Sequence, residues 1–321
     1  MIAASRIREL ALQAGFDDAG AATAHRLDED AEHLEKWLQQ GCEGSMQYMA
    51  DNFEKRVNPE ALVPGTKTVV CCVLSYYKKN PQPQGAPYIA LSGLSERDYH
   101  EVVKEKLLAL ETLVKEEFGP QVVNNDYQHL FCDSAPVLER AWGRECGLGW
   151  IGKNRQFIHP TLGSYVHLGI LFLTEEVKGQ RSKVKGEAIV RSAAQERKVK
   201  GQRSKVKGEA DRPKNGCQDC DLCLRACPTK AIREDGMDAR KCVSYLTIER
   251  KEPLPEEYQG KPYIGLYGCD NCQRVCPYNS GLQPDRHEEL SANPRFAEMT
   301  AADWAATSRR QKTKLLRRLA K

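Results

Sequence analysis

Residues 217–228 read CQDCDLCLRACP, and residues 269–277 read CDNCQRVCP. The first run has the spacing C-x2-C-x2-C-x3-C-P, and the second has the same ending but lacks the first cysteine. Cys242, which lies between the two runs, can supply the missing thiolate. The two runs and Cys242 together provide eight thiolates, and a proline after the last cysteine of each run turns the chain away from them.

This spacing is typical of bacterial ferredoxins that hold two [4Fe–4S] clusters. Three cysteines over seven residues wrap one cube, and the fourth points to the neighbouring cube. One cluster is assigned to Cys217, Cys220, Cys223 and Cys276. The other is assigned to Cys227, Cys242, Cys269 and Cys272. A pair of zinc sites is the alternative, because CxxC pairs also bind zinc, but the triplet spacing and both C-x3-C-P endings favour iron–sulfur clusters.

The five remaining cysteines predict buried, reduced thiols. Cys42, Cys71, Cys72, Cys132 and Cys146 lie among apolar or small residues, where cysteine packs as a small hydrophobe. Residues 1–10 carry charges and lack the apolar centre of a signal peptide. No apolar run approaches the roughly 20 residues of a membrane span. We therefore expect a cytoplasmic protein with no membrane contact.

The basic charge is confined to one segment. The chain has a formal net charge of +4, whereas residues 177–214 contain 13 Lys and Arg against 4 Asp and Glu. The sequence VKGQRSKVKGEA occurs at 177–188 and again, unchanged, at 199–210. A repeat this short and polar does not predict a solenoid. It is either a basic arm for RNA or a duplicated, solvated loop, and we favour the loop, with disorder or weak helix.

Helix and strand patterns alternate over the first half of the chain. Apolar residues at helical spacing predict helices over 2–15, 27–40, 98–118 and 136–146. Runs rich in β-branched and aromatic residues predict strands over 68–77, 121–123, 129–132 and 165–173. The alternation favours an α/β (α+β) domain with a central sheet.

Four regions follow from these patterns. We expect an α/β domain over 1–176, a basic duplicated linker over 177–212, a ferredoxin-like module with two clusters over 213–285, and a short helical tail over 286–321. The tail ends KTKLLRRLAK at 312–321, which predicts a basic amphipathic helix. Such a helix either covers the surface or contacts RNA.

Five stretches in order along the chain resemble the epoxyqueuosine reductases, a family of cobalamin-dependent iron–sulfur enzymes. The stretches are MQYM at 46–49 with Lys55 and Arg56, DYH at 98–100, DSAPVLER at 133–140, GLGWIGKN at 147–154, and CVSYLTIE at 242–249 with the other cysteines. The cysteine pattern alone is generic to ferredoxins. DSAPVLER and GLGWIGKN are much more specific, and the resemblance covers nearly the whole chain.

The resemblance implies a cobalamin-binding domain followed by a ferredoxin-like module. It implies the reduction of epoxyqueuosine to queuosine at the wobble position of tRNA, the last step of queuosine biosynthesis. Many members add a helical repeat domain at the C-terminus, whereas the tail here is short. Removing an epoxide oxygen as water takes two electrons and two protons. Two clusters can pass electrons singly to one acceptor, and the resemblance implies base-off cobalamin in that role.

Asp133 occupies the family's position for the acid that protonates the departing oxygen. It follows the apolar residues 130–132, and burial there would keep its carboxyl protonated. A helix N-cap is the structural alternative, because an Asp before Ser-Ala-Pro suits that role.

The resemblance also implies residues that contact the corrin. They are Arg56, Lys153, Asn154, Ile158 and Ser244. For Arg56 and Lys153 the structural alternative is an ordinary surface charge.

Two further features near these residues have alternative interpretations. His100 begins a D-x-H pattern without the glycine of the corrinoid signature D-x-H-x-x-G, so we expect it to be a pocket or structural residue and not a cobalt ligand. Gly147, Gly149 and Gly152 either let backbone approach the corrin amides or only form a turn.

The implied substrate is an anticodon loop, whose splayed bases stack on aromatic side chains. Tyr245, Tyr263 and Tyr267 are candidates for that stacking, and each has ordinary packing as its alternative. We also expect an external electron donor, such as a flavodoxin or ferredoxin system, and a monomeric enzyme.

Two other functions are compatible with the cysteine pattern. One is a related corrinoid iron–sulfur reductase, such as a reductive dehalogenase. The other is a ferredoxin-type electron carrier in which residues 1–175 serve as a docking domain, with no cobalamin and no role for Asp133. The stretch from Asp133 to Asn154 argues against the electron carrier.

Overall fold

A computed structural model of the chain describes residues 2–79, 82–179, 216–284, 286–308, 310–312 and 315. The strands are β1 (Ile2–Ala3), β2 (Asp18–Thr23), β3 (Thr68–Ser75), β4 (Leu130–Phe131), β5 (Trp150–Ile151), β6 (Phe157–Ile158), β7 (Val166–Leu173) and β8 (Val177–Lys178). The helices of the first half of the chain are α1 (Ala4–Gln13), α2 (Asp28–Gln39), α3 (Phe53–Val57), α4 (Pro59–Leu62), α5 (Tyr99–Phe118) and α6 (Glu139–Glu145). The helices of the second half are α7 (Leu222–Ala226), α8 (Asn271–Arg274), α9 (Pro294–Ala297) and α10 (Ala301–Ala306).

The N-terminal domain is built around β3, which is buried at every position. Val70 and Leu74 belong to one apolar cluster, whereas Val69 and Val73 belong to another. Side chains alternate along a strand, so these clusters lie on opposite faces of the sheet. A strand covered on both faces needs an unbroken apolar sequence, which is what residues 69–74 supply.

The central sheet has the strand order β2-β3-β7-β4, and all of its neighbouring strands are antiparallel. Asp18 lies opposite Val73, and Thr68 lies opposite Leu173. The predicted central sheet is therefore present, and it is of the α+β kind, without the parallel pairs that βαβ units would form. β1 and β8 form a separate parallel pair of two residues each.

Helices cover both faces of this sheet. Ile7 of α1 and Leu107 of α5 pack into the cluster on one face, and Trp142 of α6 packs into the cluster on the other. The α5 helix starts as its sequence predicts, because the Asp98 side chain accepts a hydrogen bond from the His100 backbone N–H at 2.9 Å. It ends at Gly119, whose φ of 90° favours glycine.

Two sequence-based predictions of secondary structure are wrong. Residues 121–123 do not form a strand, because Pro120–Val122 form a 3₁₀ turn directly after the end of α5. The helix expected over 136–146 begins only at Glu139, since residues 133–138 are bends and turns. The five extra cysteines are buried free thiols, as predicted.

The cysteine-rich module packs closely on the N-terminal domain. The Trp37 indole N–H donates to the Met237 carbonyl at 2.7 Å. The Ser45 backbone N–H donates to the Tyr245 hydroxyl at 2.8 Å. Each of these hydrogen bonds joins residues that are 200 positions apart, so the module and the domain are in direct contact.

The tail after residue 285 also packs on the N-terminal domain. Leu290 and Phe296 belong to the same buried cluster as Ile7 and Leu107. Most of the predicted basic helix over 312–321 and most of the duplicated segment over 177–210 lie outside the described residues. Among the helices of the described ranges, none has the length and apolar character that a membrane crossing requires.

Candidate functional site

Four cysteines line one small pocket at the boundary between the module and the domain. They are the four assigned to the first cluster, Cys217, Cys220, Cys223 and Cys276. Lys153, Asn154 and Ile158 from the β5–β6 hairpin also line it. The structure thus brings one predicted thiolate set together, with three predicted corrin-binding residues beside it.

The second set surrounds an apolar group centred on Ala231 and Ile232. Cys227 is part of that group, and Cys242 and Cys272 pack against it. Burial, together with the nearby thiols of Cys242 and Cys227, raises the pKa of Cys269 to about 11. The four residues of the second predicted set are therefore neighbours as well.

The donor chemistry of these sets suits iron–sulfur clusters. Among the described residues, no three Cys, His, Asp or Glu side chains converge closely enough to chelate one metal ion. The cysteines instead form two groups of four, one that lines the pocket beside the β5–β6 hairpin and one beside Ala231 and Ile232. All-thiolate quartets are the ligand sets that [4Fe–4S] clusters require, so the residues fit that cofactor.

Asp133 lies directly beyond β4, where the chain leaves the sheet in a left-handed conformation with φ of 53°. This turn directs the side chain outward, and it is 67% exposed. The expectation that Asp133 is buried is therefore wrong. The N-cap alternative is not observed either, because Leu138 precedes α6 and the Asp133 carboxylate accepts a hydrogen bond from the Tyr99 hydroxyl at 2.6 Å.

A stack of aromatic rings supports this hydroxyl. The His167 ring from β7 is parallel to the Tyr99 ring at 4.0 Å, and the His100 ring stacks on Tyr99 at 3.9 Å. Tyr76 packs behind His167 at 4.3 Å. Burial lowers the pKa of His167 to about 3, so this imidazole is neutral at physiological pH. His100 thus stacks on Tyr99, and its assignment as a pocket or structural residue stays a prediction.

The topology explains why these residues meet. β7 is antiparallel to both β3 and β4, so the start of β7 lies beside the ends of the other two strands. His167 is near the start of β7, and Asp133 follows the end of β4. Tyr99 begins the helix that packs on β7.

Sequence reasoning missed two acidic residues beside Asp133. Glu139 accepts a hydrogen bond from the Asp133 backbone N–H. Burial, together with the Asp133 charge, raises the pKa of Glu139 to about 8. Glu249, on the π-helix Tyr245–Glu249, also has a raised pKa because of burial and the Asp133 charge. The signal was present, since both residues lie within the two stretches DSAPVLER and CVSYLTIE.

Two of the predicted corrin-binding residues have buried donors without a protein partner. The Arg56 Nη2 donates to the Tyr48 carbonyl at 2.5 Å, but its buried Nε has no partner. Asn154 is 3% exposed, and its Nδ2 also lacks a partner. Buried donors are normally satisfied, so these atoms fit a ligand that carries amide or carbonyl acceptors. Arg56 is buried and is not an ordinary surface charge.

The other three predicted corrin-binding residues differ in their surroundings. Ile158 is buried and Lys153 is partly exposed, and both line the pocket of the first thiolate set. Ser244 lies beside Cys242, where its backbone and hydroxyl hydrogen bonds lower the pKa of that thiol against the larger effect of burial. Ser244 therefore faces the second thiolate set.

The glycines of GLGWIGKN are needed by the hairpin itself. A Cβ on Gly149 would lie 2.1 Å from the Ile158 carbonyl oxygen, and a Cβ on Gly152 would lie 2.6 Å from the Ile158 side chain. The turn interpretation of these residues therefore has a direct steric reason.

The three predicted stacking tyrosines are not equivalent. Tyr245 is buried, and its hydroxyl binds Ser45, so it packs inside the molecule. Tyr263 is only partly buried. Tyr267 has a pKa raised by burial and by the charges of Glu249 and Asp133, so it lies near both of these acids.

Comparisons with known proteins match both halves of this arrangement. Residues 56–134 match the family model described as "Epoxyqueuosine reductase QueG, DUF1730". Residues 216–279 match the model of the 4Fe-4S double cluster binding domain. The chain is similar to an epoxyqueuosine reductase of Leadbetterella byssophila, with 36% identity over 93% of this chain and 86% of the relative. An epoxyqueuosine reductase of Cyclobacterium marinum is 35% identical over 98% of this chain and 90% of its own length.

The chain is also similar to solved structures of epoxyqueuosine reductases. The structure of epoxyqueuosine reductase from Streptococcus thermophilus has a TM-score of 0.73 and 26% identity, covering 98% of this chain and 79% of that one. An epoxyqueuosine reductase structure with a tRNA-Tyr epoxyqueuosine-modified stem loop has a TM-score of 0.74 at 26% identity and the same coverage.

Proposed function

We infer, because this chain belongs to the epoxyqueuosine reductase family, that it is an oxidoreductase that reduces epoxyqueuosine to queuosine in tRNA. The observation that carries this inference is the full-length similarity to relatives of that activity, with 36% identity over 299 residues. Family membership favours this function over a plain electron carrier and over another corrinoid reductase.

We propose that the two thiolate sets hold two [4Fe–4S] clusters and that a corrin lies next to the first set. The match to a double cluster binding domain supports the clusters. The unpartnered donors of Arg56 and Asn154 support a cobalamin, whose amides would accept their hydrogen bonds. When bound, reduced cobalamin supplies an electron-rich centre toward the epoxide carbon, and the clusters supply its electrons. We further propose that it binds base-off, with Lys153, Ile158 and Ser244 as additional contacts.

The role proposed for Asp133 is proton donation to the departing epoxide oxygen. The Tyr99 hydroxyl fixes one carboxylate oxygen, which leaves the other free to face the substrate. Asp133 is exposed in the structure, so a substrate base bound against its side chain would remove the carboxyl from water. Desolvation favours the neutral form of a carboxyl, which is the form that can donate.

The substrate is proposed to be the wobble base of an anticodon loop. The family structure with a modified stem loop supports a tRNA partner. Tyr267 lies near Asp133, and we propose that it and Tyr263 stack on the splayed bases. Glu249 also lies near Asp133, and we propose that these two acids disfavour phosphates and leave the base edge to be bound there.

The remaining proposals concern organisation. We propose the division into 1–176, 177–212, 213–285 and 286–321, a monomeric state, and an external flavodoxin or ferredoxin system as the electron donor. We also propose a cytoplasmic location, because tRNA and reduced thiols occur together there.

The test is anaerobic reconstitution with iron, sulfide and cobalamin, followed by reduction of tRNA that carries epoxyqueuosine. Nucleosides are then analysed by mass spectrometry for the parent and for Asp133→Asn. We expect queuosine only when cobalamin is present, and its loss in the variant. Cobalamin binding without queuosine would reject the substrate, and an absence of cobalamin binding would reject the corrin site and favour the electron carrier.

A further inference from the structure

The reaction proposed above uses two protons per turnover, and one carboxyl group carries one. Asp133 must therefore be reprotonated at least once in every cycle. Its side chain has few protein contacts that could return a proton. The Tyr99 hydroxyl donates to Oδ2, but burial raises the pKa of Tyr99 far above its usual range, so this phenol does not release its proton.

The other neighbour of the same oxygen is His100. Its Nε2 lies 4.0 Å from the Asp133 Oδ2, a separation that one water molecule or a small side-chain movement spans. Its Nδ1 lies 2.7 Å from the Asp98 Oδ1. A carboxylate at Nδ1 fixes the hydrogen on that nitrogen, which leaves Nε2 to exchange a proton with Asp133.

We propose that His100, oriented by Asp98, returns protons to Asp133 during turnover. This inference rests on the proposed function. In each return, the N–H bond of the imidazolium at Nε2 breaks and an O–H bond forms on the Asp133 carboxylate. The neutral imidazole then takes a proton from solvent, which it can reach because its side chain is 34% exposed. No electrons move in this step.

Of the two histidines in this stack, His100 is the one that contacts the Asp133 carboxylate. The parallel His167 ring on β7 is kept neutral by burial and faces Lys78 and His100. The groups that face His100 from other elements are Asp98 before α5 and Asp133 after β4. Glu139 and Glu249 face Asp133 from α6 and the π-helix.

The experiment compares turnover in His100→Ala and His100→Phe, with and without added imidazole. His100→Ala opens a space beside Asp133 for the free base, whereas His100→Phe keeps a ring on Tyr99 but carries no proton. We expect queuosine formation to slow about tenfold to hundredfold in both, within the range of general acid–base effects. Imidazole should restore the rate of His100→Ala alone. His33→Ala, an exposed residue on α2, is the matched control and should keep the parental rate.

Bleaching of the cluster absorbance on reduction should be equal in all variants, because the proposed role does not involve electron entry. A parental rate in His100→Ala overturns the proposal. The proposal is also overturned if added imidazole raises the rate of queuosine formation equally in His100→Ala, His100→Phe and the parent. A parent that forms no queuosine rejects the proposed function, and the proton return with it.

Discussion

The Tyr99 hydroxyl and the Asp133 carboxylate, 34 residues apart in sequence, form a 2.6 Å hydrogen bond at the end of the central sheet. The Tyr99 ring is held by His167 at 4.0 Å, so the position of the hydroxyl depends on the sheet and not on the loop that carries Asp133. Because Asp133 lies in an exposed turn, this bond fixes the direction of its side chain.

Tyr99→Phe should reduce kcat about tenfold, since one hydrogen bond to a charged group contributes on the order of 1.5–3 kcal/mol. The phenyl ring keeps the stack with His167, so the melting temperature should change little. Steady-state kinetics and a thermal melt measure the two effects. Tyr127→Phe, at an exposed tyrosine, is the control. An unchanged kcat in Tyr99→Phe would show that the hydroxyl does not position Asp133.

Glu139→Gln should change the pH dependence of stability. The pKa of Glu139 is raised from about 4.5 to about 8 in the folded protein, so the folded state binds more protons than the unfolded state between these values. Folding stability contributed by this group is therefore complete below about pH 4.5 and is lost as pH rises toward 8. The glutamine cannot titrate, so the variant should gain stability relative to the parent from pH 5 to pH 9.

Thermal melts of both proteins across that range give the difference between their melting temperatures. The contributions of the other titrating groups cancel in this difference. A constant difference between the two melting temperatures would contradict the raised pKa. The glutamine side chain of the Glu139→Gln variant can still accept the hydrogen bond from the Asp133 backbone, so the variant should also keep most of its activity below neutral pH.

Asn154→Ala should weaken cobalamin binding about tenfold, the effect of about one hydrogen bond. The Nδ2 of Asn154 has no protein partner, so the protein without the corrin loses only the weak bond from the Gln156 N–H at 3.2 Å. Titration followed by the visible absorbance of the corrin gives the affinity. The exposed amide of Gln128 provides the control variant Gln128→Ala. Parental affinity in Asn154→Ala would remove this residue from the proposed site.

Cys272→Ala should reduce the iron content after reconstitution from about eight to about four atoms per chain, because one quartet is lost and the other is intact. Cys71→Ala is the matched control, since Cys71 is a buried thiol of the central sheet. Iron analysis and electron paramagnetic resonance distinguish the two variants. A loss of iron in Cys71→Ala, or full iron in Cys272→Ala, would contradict the proposed ligand sets.

Asn279→Ala should destabilise the protein by about 2–4 kcal/mol, because it leaves buried polar groups unpaired. The Asn279 side chain accepts from the Ser164 N–H at 2.7 Å and donates to the Ser164 hydroxyl at 2.9 Å and to the Gln273 carbonyl at 2.8 Å. Chemical denaturation of the reconstituted protein measures the loss. Asn124→Ala removes an exposed hydrogen bond and should cost less than about 0.5 kcal/mol.

Short patterns of residue type and spacing were enough to predict three features of the structure. The buried β3, the start of the helix at 98–99 and the gathering of the cysteines each follow from a short stretch of residues. The antiparallel sheet was not predictable in the same way, because β7 pairs with β3 across about 90 residues of chain.

The acidic neighbours of Asp133 were missed for a related reason. Glu139 has the sequence position of an ordinary acid in the first turn of a helix, and Glu249 belongs to a region far along the chain. Their raised pKa values arise from burial and from the charge of Asp133, neither of which a local pattern contains. The exposure of Asp133 was missed because the left-handed turn after β4 reverses the direction that an extended strand would give.

The close packing of the module on the domain has a consequence for synthesis on the ribosome. Trp37, Ser45 and Ser164 emerge before any ligand cysteine, and each binds a residue of the module that is made later. The domain therefore offers these contacts when the cysteines appear. Iron and sulfide should be loaded after translation has passed Cys276, onto cysteines that the earlier residues already help to position.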